Sequence, residues 1–243
     1  MGALAAGFWG FVGGVSLLIG AVIGLYADAS QRVISLVMAI GAGVLISSVA
    51  FELMENSYEK GGFDAAAVGL VTGAALYFAA DWAVSRRARH RKRSQGQQEG
   101  GSGTAIAIGA LMDGISESVA VGISLIGSGA VSVAMVAAVF LSNVPESLSA
   151  AAGMKKAGHS AAHILGLWGA VVVASAAALF GYLFLAGASG NLIAGIQSFA
   201  AGAILTMLAS TMMPEAYEEG GSVVGLVTTI GFLAAFVLSR LEG

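Results

Sequence analysis

Two short polar motifs carry the residues with the clearest chemistry, and each lies in a stretch apolar enough to cross a lipid bilayer. They are DGISES at residues 113–118 and NVPES at residues 143–147. The motifs place Glu117 and Glu146 where no water solvates a charge. A charged side chain near the bilayer centre costs roughly 2.5–3.5 kcal/mol even on lenient insertion scales. Converging acids at that depth indicate compensation by a cation or a proton, so the motifs predict ion transport.

Both motifs repeat one helical spacing, in which polar residues at i, i+3 and i+4 share a face. Pro145 cannot donate to the Leu141 carbonyl, so it frees that oxygen or kinks the helix. The predicted oxygen ligands are the carboxylates of Asp113, Glu117 and Glu146, the amide carbonyl of Asn143, and the hydroxyl of Ser116 or Ser142. Such carboxylates share protons when the site is empty and lose them when a divalent ion enters, which predicts pH-dependent transport.

The alternative is that these polar side chains only join helices through hydrogen bonds, as Ser and Asn commonly do in membranes. For Ser and Asn alone that interpretation would be preferred. Three acids at matching depth on successive helices favour a cation site, because intramembrane acids are rare and usually functional.

The composition indicates a polytopic membrane protein. Hydrophobic residues make up 57% of the chain and charged residues 10%, against about 25% charged residues in soluble domains. The mean hydropathy is +0.87. The net charge of −3 says little about partners, and nothing in the sequence indicates nucleic acid. There is no cysteine, so a bound metal must be held by oxygen or imidazole.

Apolar runs of membrane length predict an all-α fold with eight transmembrane spans in one domain, residues 1–243. The spans are residues 7–26, 33–53, 65–84, 104–126, 131–151, 161–186, 193–213 and 223–241. Lys and Arg concentrate in the loops after spans one, three and five, which the positive-inside rule makes cytoplasmic. Both termini are then extracytoplasmic, and the location predicted is the plasma (inner) membrane.

The loop at residues 86–103 is basic and continues as SQGQQEGGSG, which is typical of a flexible linker. A metal-collecting role through His90 is one interpretation of it. A topology anchor on the cytoplasmic side is the favoured one.

An internal repeat relates spans two and seven. Residues 42–62 align without gaps to residues 201–221, sharing Met, Tyr, Glu and a Gly-Gly pair among other positions. Five crossings separate the two spans, so they run in opposite directions. The sequence thus predicts an inverted repeat of spans one to three and six to eight, flanking spans four and five, a common plan of secondary transporters.

With these motifs the chain resembles the Zrt/Irt-like (ZIP) family of divalent metal transporters. The resemblance covers the whole chain and includes the AGVLISS and AGAILTM openings of spans two and seven. It implies a carrier for zinc, iron or manganese as substrate, without a cofactor, and it implies a homodimer, since dimers are common in such families. It assigns Asp113, Glu117 and Glu146 to the primary metal site and Asn143 to an adjacent second position. Spans one, four, five and six would shift against the others.

The motifs depart from the family pattern at several positions. Asp113 stands where His is usual, Gly114 where Asn is usual, and Ser142 where His or Gln is commoner, while span six has no acid. A single-metal site is therefore expected. Carboxylate in place of imidazole hardens the site and favours Mn or Fe relative to a His-bearing homologue.

The acids and histidines nearer the membrane surfaces are weaker candidates for functional residues. Glu52 and Glu215 either line an entrance or exit, or sit hydrated at the interface. His159 and His163 could receive metal on the cytoplasmic side, but interfacial capping is favoured.

Two other function classes fit parts of the pattern. One is a ZIP-like metal sensor or scaffold that does not transport. The other is a membrane-embedded enzyme, which is disfavoured because the chain has no GxGD, HExxH or GxSxG string. The chain is accordingly expected not to be an enzyme, and the absence of a phosphate-binding loop predicts transport without ATP.

Overall fold

The computed structural model describes residues 2–27, 30–94, 117, 133–175, 185 and 187–242. These residues form helices joined by short turns, and no strand occurs among them. The predicted all-helical fold is confirmed for this part of the chain. Asp113 and Ser116, most of predicted span four and the second half of span six lie outside the described residues.

Eight α-helices and two π-helical segments follow one another along the described chain. They are α1 (Gly2–Tyr26), α2 (Gln31–Ser48), a first π segment (Val49–Met54), α3 (Glu55–Ser94), α4 (Val133–Lys156), α5 (Ala161–Ser175), α6 (Gly190–Met207), a second π segment (Leu208–Met212), α7 (Met213–Gly220) and α8 (Val223–Glu242).

Five stretches of this part of the chain are long and apolar enough to cross a membrane. They are Phe8–Tyr26, Gln31–Ala83, Met135–Lys156, Gly190–Gly220 and Val223–Leu241. The second stretch holds predicted spans two and three, because helical structure continues on both sides of the bend at Gly62. The α5 helix is apolar but shorter.

Two pairs of parallel helices meet where glycine lets the backbones touch. A side chain at Gly43 of α2 would overlap the Thr228 carbonyl of α8, and one at Gly73 of α3 would overlap the Phe199 carbonyl of α6. Small residues serve this purpose in membranes, where lipid supplies no hydrophobic drive for helices to associate. α2 is thereby fixed to α8, and α3 to α6.

Helix caps and helix irregularities recur at corresponding positions of the two copies of the sequence repeat. Ser30 and Ser189 each precede a helix in extended conformation, and each side chain accepts a hydrogen bond from the amide three residues on. The helices they open, α2 and α6, both pass into a π segment at the corresponding residue. The sequence similarity thus extends to caps and helix irregularities.

The turns after the two π segments also correspond. Gly62 has φ 71° and Gly221 has φ 65°, a conformation that favours glycine. Gly61 lies against Ala194 near the start of α6, and Gly220 lies against Ser35 near the start of α2. The stretch that starts with α2 therefore begins beside the end of the stretch that starts with α6, and it ends beside the start of that stretch. The two stretches are antiparallel.

The described helices fall into two packed groups. In one group α1 packs on α4 and α5, and in the other α2, α3, α6, α7 and α8 pack together. The main contact between the groups joins α2 to α4. The predicted site residues on α4 therefore lie at the boundary of the two groups.

The basic segment after span three differs in part from its prediction as a flexible loop. α3 stays helical through residues 86–94. Arg, Lys and Ala are good helix formers, and the first glycine after the apolar stretch is Gly96. The linker-like part, from residue 95, lies outside the described residues.

Candidate functional site

Glu117 is buried in the described structure, with 1% of its surface exposed. The Ser142 hydroxyl on α4 lies 3.0 Å from the Glu117 Oε1 atom and donates to it. The same hydroxyl also lies 3.0 Å from the Val139 carbonyl oxygen, one turn back on α4. The carboxylate of the first polar motif therefore contacts the residue that precedes the second motif.

The backbone of α4 near Ser142 is approached closely by α2. A Cβ atom at Gly41 would lie 2.8 Å from the Leu141 carbonyl oxygen and 3.0 Å from the Ser142 amide nitrogen. Residue 145 is a proline and has no amide hydrogen, so the Leu141 carbonyl lacks its usual helical hydrogen-bond donor. The Leu141 carbonyl oxygen faces Gly41. The close contact between α2 and α4 therefore occupies the position at which the sequence suggested a carbonyl oxygen free to bind a cation.

Asn143 turns toward α1 instead of toward Glu117. Its Nδ2 atom donates to the Gly13 carbonyl oxygen at 3.1 Å, and the Ser16 hydroxyl donates to that same oxygen. Asn143 is 2% exposed, and its Oδ1 atom is buried with no hydrogen-bond donor in the described part of the chain. The amide thus joins α4 to α1 and leaves one oxygen for a cation or a water molecule.

Glu146 continues the face of α4 that begins at Ser142. It is one turn further along, four residues on, and is half-buried. Three residues beyond it, Ser149 donates a 2.6 Å hydrogen bond to Glu215 Oε1 on α7. This face therefore leads from the buried Glu117 to the exposed Glu215, one of the predicted pathway residues.

Two buried or bridging serines near the site escaped the sequence reasoning, although a signal was available for one of them. Ser149 stands i+3 from Glu146, so helical periodicity alone could have found it. Ser48 is buried on α2, two turns beyond Gly41 and on the side away from Glu215, and its hydroxyl has no partner among the residues described. No charge or motif distinguishes Ser48 in the sequence.

The remaining predicted acid, Glu52, lies in the first π segment and is half-buried. Across the described ranges, no three or more His, Asp and Glu side chains cluster closely enough to hold a metal ion. The third predicted carboxylate, Asp113, lies outside those ranges.

The residues at the end of α4 and in the turn that follows it make mainly structural contacts. Lys155 donates its Nζ hydrogen to the Leu25 carbonyl at 2.6 Å, near the end of α1, where a cation is favourable for the helix dipole. The His159 and His163 rings stack at a centroid distance of 5.2 Å, beside Ser160, whose hydroxyl accepts from the His163 amide.

No protein-family model matches the chain, and no match is found among curated proteins. The resemblance to ZIP transporters therefore stays a prediction that rests on the motifs.

Proposed function

We propose that this protein is a secondary transporter of divalent transition-metal cations, of the ZIP type, with zinc, iron or manganese as substrate. The observation that carries the proposal is the buried Glu117 carboxylate beside Ser142, at the boundary between the two helix groups. An ionised carboxylate buried among apolar helices is costly unless a cation offsets it. Glu146 is on the adjacent turn of α4, and Asp113 is four residues before Glu117.

Eight spans in an inverted repeat form part of the proposal. α1 and α4 are parallel, because Gly13 lies beside Val139 and Gly24 beside Leu148. If successive spans alternate in direction, α3 runs the same way as α1 and therefore the same way as α4. One further crossing is then needed within residues 95–132, and predicted span four, residues 104–126, supplies it. The antiparallel stretches with matching caps and π segments support the inverted repeat.

Alternating access would arise from movement of the α1, α4 and α5 group against the other group. The boundary is the α2–α4 contact, where Gly41 meets Leu141 and Ser142. A cation at Glu117 would move with respect to α2 and then pass Glu146 toward Ser149 and Glu215. With both termini outside, this second half of the route leads to the cytoplasm.

The proposed location is the plasma (inner) membrane. Carboxylate and amide oxygens in place of imidazole make the site hard, and this chemistry favours Mn or Fe over zinc relative to a site with His.

Uptake of radiolabelled Zn, Mn and Fe into proteoliposomes tests the function. We expect saturable uptake of one metal by the unaltered protein and loss of that uptake in the Glu117→Gln variant. The matched control is Glu218→Gln, an exposed acid on α7, which should leave uptake unchanged.

The outcome also separates the proposal from its alternative. Tight metal binding that needs Glu117, without flux of any metal, would replace the carrier with a sensor or scaffold. Absence of both binding and flux would exclude the metal proposal.

A further inference from the structure

The cytoplasmic end of α3 extends well beyond the membrane core. The apolar stretch that contains it ends at Ala83. At about 1.5 Å per residue, residues 63–83 span on the order of 30 Å, which matches the ~30 Å hydrocarbon core of a bilayer. Residues 84–94 continue the helix for roughly another 16 Å. This extension must cross the headgroup layer and emerge on its far side.

The extension concentrates the positive charge of the protein. It holds six of the 11 Lys and Arg residues and no acid, the six being Arg86, Arg87, Arg89, Arg91, Lys92 and Arg93. Successive residues of an α-helix are about 100° apart, so basic positions occur on every side of the extension. A single-sided contact with another helix of this protein could not neutralise them.

Trp82 and Arg86 fix the depth of the extension. Trp82 is 52% exposed, as suits a Trp at the interface between membrane and water. The Arg86 guanidinium carbon lies 4.8 Å from the Trp82 ring centroid, one helical turn back toward the membrane. The headgroup layer is about 5–8 Å thick on each side. The helix positions of the first three arginines of the extension, 86, 87 and 89, therefore lie at or beside the depth of the lipid phosphates.

We propose that residues 84–94 form a binding surface for anionic phospholipid headgroups of the leaflet at this end of α3. Guanidinium groups bind phosphate oxygens in a bidentate manner, and clustered cations next to a membrane span attract anionic lipid. The glycine contact at Gly73 joins α3 closely to α6. Bound lipid thus anchors the α2, α3, α6 group to the leaflet. This surface is independent of the metal site.

Electron spin resonance of spin-labelled lipids tests the proposal on the full chain in vesicles. The probes are labelled phosphatidylserine and labelled phosphatidylcholine, and the readout is the fraction of each that the protein immobilises. We expect a preference for phosphatidylserine that salt weakens and that falls several-fold in the Arg86→Gln/Arg87→Gln/Arg89→Gln variant. The variant with Lys at all three positions should keep most of it, because the charge is retained.

The control removes three exposed cations elsewhere, in the Arg32→Gln/Lys156→Gln/Arg240→Gln variant, and should keep the preference. An equal loss in this control would overturn the proposal, because the net charge of the protein, and not the extension, would then determine the preference for phosphatidylserine. An undiminished preference in the first variant would also overturn it. If that variant does not fold, a salt-insensitive preference in the unaltered protein overturns the proposal. Loss of the preference on adding inorganic phosphate, but not chloride at equal ionic strength, would assign the surface to free phosphate instead.

Discussion

At the scale of single residues, the Ser142 hydroxyl is the group that would respond to a cation at the proposed site. It has one hydrogen and two acceptors, the Glu117 carboxylate and the Val139 carbonyl, each at 3.0 Å. Hydrogen bonds to a charged acceptor are roughly twice as strong as neutral ones, so the hydroxyl favours the Glu117 carboxylate whenever that group is ionised and no cation is bound. A bound cation would satisfy the carboxylate and leave the hydroxyl to Val139.

Replacing Ser142 with Ala should therefore destabilise the empty protein more than the metal-bound protein. A hydrogen bond to a charged group contributes about 1.5–3 kcal/mol, and the variant should lose an amount of that order from its free energy of unfolding. Thermal unfolding with and without Mn or Zn measures the difference. The Ser210→Ala variant is the control, because Ser210 is exposed and bonds within its own helix. Equal destabilisation of the empty and metal-bound forms would contradict this role.

At the scale of elements, the contact between α2 and α4 depends on a missing side chain. Gly41 brings the two backbones together beside Leu141 and Ser142. The two helix backbones are therefore in close contact at the boundary between the groups, where the proposed mechanism requires one group to move against the other. The α2–α8 and α3–α6 contacts are made by glycines as well, but each lies inside a single group.

The Gly41→Ala variant should separate α2 from α4 and impair transport. The added methyl group would lie 2.8 Å from the Leu141 oxygen, and such overpacking costs roughly 1–3 kcal/mol. The Gly225→Ala variant is matched to it, since a Cβ atom there meets nothing within 4 Å. Uptake and thermal unfolding of both variants decide the outcome. If the Gly41→Ala variant kept the uptake and the thermal stability of the unaltered protein, the α2–α4 contact would tolerate separation and the prediction would be wrong.

At the scale of the whole molecule, the Ser149–Glu215 hydrogen bond connects the two groups at the Glu215 end of the proposed route. If the groups move against each other, this 2.6 Å contact must break during each cycle. The chain has no cysteine, so pairs of introduced cysteines can test the movement without background.

A disulfide in the Ser149→Cys/Glu215→Cys variant should stop uptake, and a reductant should restore it. The control pair is Ala65→Cys/Ser198→Cys, which joins α3 to α6 inside one group, where the Ser198 hydroxyl lies 3.3 Å from the Ala65 carbonyl. Cross-linking that pair should leave uptake intact. Uptake that persists through the first cross-link would rule out relative movement at this end.

The sequence by itself determined that this is an all-helical chain with apolar helices of membrane length, and it located the polar motifs within them. In lipid every backbone polar group must be satisfied within the chain, so an apolar run of sufficient length has to be a helix. The similarity between residues 42–62 and 201–221 is likewise visible in the sequence, whereas the caps at Ser30 and Ser189 were identified only in the structure.

Only the tertiary structure decided which side chains meet. It paired Glu117 with Ser142, turned Asn143 to the Gly13 carbonyl, and joined Ser149 to Glu215. Helices in a membrane associate through close packing of small residues and not through an apolar stripe. A chain with 36 glycines offers many such surfaces, so periodicity places a residue on a helix face but leaves the partner of that face open until the helices pack.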